Sequence, residues 1–161
     1  MSASQLPDNQ DSGQSRIMAI DLGARRIGIA VSDPLRITAQ GLPTYERRNK
    51  RQDLGYLKSL AQEYNVSLLI VGNPLNMDGT SGPASEEARL FASQLQRHLH
   101  LPVQLWDERL TTVEAGLILD ATGLAKTKRK TVIDRVAAVL LLESFMDSQR
   151  LQQPLPVDSV G

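Results

Sequence analysis

The chain has 161 residues, 41% hydrophobic and 22% charged, and its 18 basic and 18 acidic side chains cancel to a formal net charge of zero. That size suits one domain with a sizeable core. The absence of cysteine excludes disulfides and thiolate metal sites, and two histidines, His98 and His100, are too few for a zinc centre, so any metal would be held by oxygen. The start lacks the basic and apolar segments of a secretion signal, and no apolar run approaches the ~18 residues that cross a bilayer. A cytoplasmic protein that meets no membrane is therefore expected.

Residues 1–15 are polar and aperiodic and read as a disordered tail. Residues 17–22 are apolar on both faces of an extended chain, as in a central strand covered on two sides. Asp21 breaks the pattern on the face of Ile17 and Ala19. A carboxylate leaving water there needs a positive partner, which makes Asp21 a metal-site candidate, although Asp before Gly23 is also ordinary turn chemistry. Residues 27–32 return as the second arm of a hairpin, and residues 36–45 read as a third, edge strand. Residues 49–64 carry Leu54, Leu57, Leu60 and Ala61 at helical spacing. Residues 67–71 form a buried parallel strand, followed by a polar loop over residues 72–83.

Gly82 and Pro83 then open a helix that buries Ala88, Phe91, Ala92, Leu95 and Leu99. Residues 101–106 form a fifth strand running into Asp107, Glu108 and Arg109. Thr111 and Glu114 have capping-box spacing and predict a helix over 112–121. A basic loop over 125–130 follows, and Thr131 with Asp134 repeats the capping spacing at the head of a last helix ending near residue 148. Residues 149–161 read as a tail. The expected domain, 16–148, is thus α/β: a mixed five-stranded sheet, three antiparallel strands and then parallel ones, with helices on both faces.

In such a sheet ligands gather outside the carboxyl ends of the parallel strands. Asp21, Asp107, Glu108 and Asp134 can meet there from three separate segments. Clustered carboxylates repel one another unless a hard cation such as Mg²⁺ or Mn²⁺ lies between them, and such cations support phosphodiester hydrolysis without histidine or cysteine. Each acid also has a structural reading: Asp134 as part of a cap, Asp107 and Glu108 as solvated charges near Arg109. Zero net charge and 4% aromatics count against a general nucleic-acid footprint or a base-stacking platform. Local basic clusters remain. Arg47, Arg48, Lys50 and Arg51 read as solvated surface, whereas Lys128, Arg129 and Lys130, just before Asp134, are candidates for phosphate contact.

Four blocks, IMAIDLGARRIGIAVSDP, VGNPLNMDGTSGPASEEARLFASQLQ, LWDERLTTVEA and KRKTVIDRVAAVLLLESFMD, occur in an order that resembles the YqgF family, also described as RuvX, over residues 16–148. The resemblance implies an RNase H-like fold and a Mg²⁺- or Mn²⁺-dependent nuclease, monomeric or homodimeric. Its substrate would be structured RNA, such as the 5′ end of pre-16S rRNA, or branched DNA. It puts catalytic acids on Asp21, Glu108 and Asp134, with Asp107 as a further metal ligand, and a substrate groove on Asn73, Asn76, Asp78 and Gly79. The second acid that RNase H-type enzymes carry after strand four is absent from VGNPL. Two alternatives stand beside this: a non-catalytic RNA-binding or assembly factor on the same fold, and a phosphate loop of sugar-kinase or actin-like type, for which one domain leaves little room.

Overall fold

The structure, a computed structural model, describes residues 15–107 and the backbone of 126–152, with side chains of the latter segment from Arg135 to Leu151. In chain order the elements are β1 (Arg16–Leu22), β2 (Arg26–Ser32), β3 (Ala39–Gly41), β4 (Tyr45–Glu46), α1 (Lys50–Glu63), β5 (Val66–Asn73), α2 (Pro83–Leu99), β6 (Val103–Asp107) and α3 (Lys126–Gln152). The strands form one sheet in the order β3-β2-β1-β5-β6, with β4 also on β2. β1 pairs antiparallel with β2 and parallel with β5, and β5 pairs parallel with β6. β1 is therefore central.

Strand alternation sorts the apolar residues onto two faces. Met18, Ile20, Ile27, Ile29, Leu69 and Val71 pack with Leu54, Leu57, Phe91 and Leu95 of α1 and α2. Ile17, Ala19, Ala30 and Ile70 pack with Ala138, Leu141, Leu142 and Phe145 of α3. Burying each large aliphatic or aromatic side chain contributes roughly 1.5–3 kcal/mol. Both faces of the central strands are covered, which accounts for their continuous apolar runs. α3 is pinned at two points. Arg135 and Val139 lie against Gly41 of β3; further along, Ser144 accepts a bond from Trp106 Nε1 at 3.1 Å and Phe145 meets the Trp106 ring edge-on.

Three expectations need correction. The sheet has six strands, not five, because the third predicted strand is interrupted: Pro43 has no N–H for the ladder, Leu42 turns into the core, and pairing resumes at Tyr45. The basic segment 126–130 is helix rather than loop, and the last helix runs on to Gln152. With neither Gly nor Pro between 124 and 152, nothing in that stretch breaks a helix. Thr131 and Asp134 consequently lie inside α3, so the capping reading there is lost. The helix expected over 112–121 falls outside the described residues, as do the tails except Ser15 and residues 149–152. Among the described residues, no helix is long and apolar enough to cross a membrane.

Gly23 closes the β1–β2 turn for a reason of space. Its N–H donates to the Arg26 carbonyl at 2.9 Å, and a Cβ at Gly23 would stand 2.7 Å from that same oxygen. Elsewhere Asn49 caps α1 by accepting from Gln52 N–H, and His100 ends α2 in the left-handed region at φ 58°.

Candidate active site at the carboxyl end of the sheet

Asp21 sits half-buried one residue from the end of β1, on the face that α3 covers, since it alternates with Ile17 and Ala19. Its partner on β2 is Gly28. On the other side β5 offers Gly72, one position past the last paired residues, Ile20 and Val71. Neither neighbouring strand raises a side chain beside Asp21, so the sheet presents backbone on both sides of the carboxylate. Reading sequence blocks in isolation misses this shelf, because Gly28 and Gly72 are brought level only by register.

Asp107 ends β6 and is exposed. It lies directly opposite Asn73, the last residue of β5. Alternation from Val103 and Leu105, which pack with the α1 and α2 core, gives Asp107 the face opposite to that of Asp21. The two acids are also on strands separated by β5, roughly 10 Å apart at about 4.8 Å per strand spacing. Glu108 lies outside the described residues, and for Asp134, Lys128, Arg129 and Lys130 only the helical backbone is described. Among the described residues, no three acids or histidines form a group that could hold a metal ion.

Asn73 is held firmly. Its Oδ1 accepts from the Ser85 hydroxyl at 2.6 Å, and Ser85 is fully buried in the first turn of α2. With that oxygen engaged, the amide N–H₂ is what Asn73 can offer a ligand. Asn76 instead shapes its own loop: its amide donates to Thr80 Oγ1 at 2.9 Å, and its backbone accepts from Gly79 N–H. Asp78 caps the same turn through the Thr80 N–H and hydroxyl. Asn76, Asp78 and Gly79 thus form a built turn over the strand ends.

The strongest polar network is one that sequence reasoning missed. Asp53, 1% exposed in the first turn of α1, accepts from the Tyr45 hydroxyl at 3.0 Å, Arg48 N–H at 2.9 Å and Arg47 Nε at 3.3 Å. Arg47 also donates to the Gly23 carbonyl at 2.9 Å and lies over the Phe91 ring. One guanidinium therefore ties the hairpin turn to the head of α1 and to α2. Burial, then the bond to Asp53, pushes the Tyr45 hydroxyl above its ordinary pKa. The signal was present as basic residues followed by an acid at a helix start, but their approach to Gly23 is tertiary.

The family model described as "RuvX: Holliday junction resolvase" matches residues 15–148. A protein of Moorella thermoacetica named "Putative pre-16S rRNA nuclease" is 50% identical over 132 residues, covering 82% of this chain and 94% of its own length. One of the same name from Koribacter versatilis is 44% identical over 144 residues, covering 89% and 94%. The solved fowlpox virus Holliday junction resolvase superposes with a TM-score of 0.53 at 14% identity, covering 83% of this chain and 99% of that one, a likeness of fold. The sheet order and the covering of both its faces are those of an RNase H-like fold, and the chain belongs to the RuvX family.

Proposed function

We propose that this chain is a divalent-metal-dependent nuclease that cuts structured nucleic acid in the cytoplasm, with Asp21, Glu108 and Asp134 as its catalytic carboxylates. The observation that carries the reading is Asp21 itself: a carboxylate at the carboxyl end of the central strand, level with glycine on both sides. The names of the curated relatives favour the 5′ end of pre-16S rRNA as substrate, and the family description favours branched DNA.

Two features of α3 support the assignment. The helix covers the Asp21 face, and position 134 precedes Ala138 by one turn and Leu141 by two, on the stripe that faces the sheet. Lys126, Lys128, Arg129 and Lys130 occupy its first two turns, where cations oppose the helix dipole at about 0.3–1 kcal/mol each. A phosphate at that end reverses the penalty, which suits Lys128, Arg129 and Lys130 as backbone contacts. We leave Asp107 out of the ligand set because alternation gives it the opposite face from Asp21. The remaining donors are all carboxylate oxygens, the chemistry that hard ions such as Mg²⁺ or Mn²⁺ accept. When bound, such an ion supplies charge neutralisation at the scissile phosphate and a more acidic water. The protein's part is to hold Asp21 rigidly within the sheet; Asn73, opposite Asp107 and bonded to Ser85 of α2, shares the other face and stays out of this site.

Cleavage of a pre-16S rRNA fragment and of a four-way DNA junction, with and without EDTA, tests this. Asp21→Asn is expected to lower the rate at least ~100-fold, the scale of losing one charged transition-state contact. Metal-independent cleavage, or activity that survives Asp21→Asn, rules the site out.

A further inference from the structure

A cleft of about 510 Å³ opens at the tip of the β1–β2 hairpin, where the cations Arg25, Arg26, Arg47, Arg48 and Lys50 face the carboxylates of Glu46, Asp53 and Glu87. One of those carboxylates, Asp53, is buried beneath Arg47 and Tyr45. In a chain whose charges sum to zero overall, that surplus of positive charge is local. The wall is also rigid: Arg47 N–H donates to the Arg25 carbonyl at 2.8 Å, and the Arg47 guanidinium is fixed between Gly23, Asp53 and, at 3.8 Å, Glu87. Arg25, Arg48 and Lys50 are exposed around this braced centre.

We infer that this cleft grips the sugar-phosphate backbone of the substrate strand beside the scissile bond, Arg25, Arg48 and Lys50 making the phosphate contacts. The inference rests on the nuclease reading above for its ligand, and on geometry for its place. Gly28 pairs with Asp21, so Arg26 at the cleft mouth lies two residues further along the hairpin, roughly 7 Å at about 3.3 Å per residue. One or two nucleotides, at about 3.4 Å of rise each, span that interval. By alternation with Gly28 and Ala30, Arg26 is on the Asp21 face. Asp53 of α1 and Glu87 of α2 wall the cleft from the opposite layer, so a strand crossing Asp21 reaches it by passing Arg26 and bending over the hairpin tip. The sequence reading of Arg47 to Arg51 as solvated surface agrees with the exposure of Arg48, Lys50 and Arg51 and changes at Arg47, which is the brace between Gly23, Asp53 and Glu87.

The test measures anisotropy of a labelled 12-nucleotide RNA and of a four-way DNA junction between 50 and 200 mM salt, in EDTA so that no cleavage occurs. Combining Arg25→Gln, Arg48→Gln and Lys50→Gln is expected to weaken binding at least ~10-fold at 100 mM salt. The slope of log affinity against log salt should become shallower by roughly 2 to 3, since each phosphate that is no longer neutralised removes about 0.9 on duplex and about 0.7 on single strands. Arg25→Lys with Arg48→Lys should keep the slope. Unchanged affinity and slope in the glutamine variant overturn the cleft while leaving the Asp21 site standing; weakened binding by a protein that cuts nothing upholds the cleft and removes the nuclease. Equal affinity for adenosine monophosphate and the 12-mer overturns the proposal in favour of a small-anion pocket. Should the triple variant fail to fold, Arg48→Gln with Lys50→Gln, both at exposed positions, carries the same salt-slope reading at two contacts.

Discussion

Replacing Asp53 with alanine strands three donors at once: the Tyr45 hydroxyl, the Arg48 N–H and the Arg47 guanidinium. Removing one partner of a buried ion pair costs about 3–5 kcal/mol. Arg47 is one-fifth exposed and keeps Glu87 at 3.8 Å and the Gly23 carbonyl, so the lower end applies, about 3 kcal/mol. For a chain of this length that lowers Tm by about 6–12 °C. Asp53→Asn keeps an oxygen for Arg48 N–H and should cost less, about 1–2 kcal/mol. Thermal and urea unfolding followed by circular dichroism measure both. Because Arg47 joins the hairpin turn to α1, amide exchange at Gly23 and Arg47 should quicken in Asp53→Ala while Leu69 to Val71 in β5 stay protected. A Tm shift under about 2 °C, or faster exchange spread evenly over the sheet, refutes the view of Asp53 as the anchor of the hairpin end.

Two other sites yield outcomes that unfolding experiments can check. Asp33 accepts from Thr38 and Ile37 N–H at 2.7 Å and from Leu35 N–H at 3.0 Å; the Thr38 bond foremost, against a smaller opposing effect of burial, holds its carboxyl below the ordinary value of 3.8. A depressed pKa stabilises above that ordinary value and ceases to as pH falls through the lower, folded one. Urea midpoints should therefore show Asp33→Asn weaker than wild type at pH 7, with the gap narrowing below about pH 3.8; a gap independent of pH rejects the turn as the cause. At Gly41, an added Cβ would stand 2.5 Å from Arg135 Cγ and 3.2 Å from Val139 Cγ2, so Gly41→Val should cost about 1–3 kcal/mol in thermal unfolding by pushing α3 off the sheet edge. No loss there means that α3 does not seat on β3.

Much of the architecture was legible in local pattern. The continuous apolar run of β1, the apolar stripe of α1, and Gly82-Pro83 opening α2 each state their conformation within a few residues, and the structure agrees at each. Edges were harder. Pro43 splits the third strand through one missing N–H. The basic segment before Asp134 reads as loop when polarity is weighed alone, yet lysine and arginine are good helix formers and nothing stops α3 from starting there.

Of the candidate site, the sequence alone named the candidates: an acid at the end of an apolar strand, oxygen ligands only, and cations in two clusters. Tertiary structure decided what those residues stand beside. Register sets Gly28 and Gly72 level with Asp21, alternation turns Asp107 away from it, and a contact across the fold makes Arg47 a brace instead of a free surface charge. The physical reason is one of range. Periodicity and capping act over a handful of residues, whereas sheet register and buried ion pairs join positions dozens of residues apart, and only the folded chain brings them within reach.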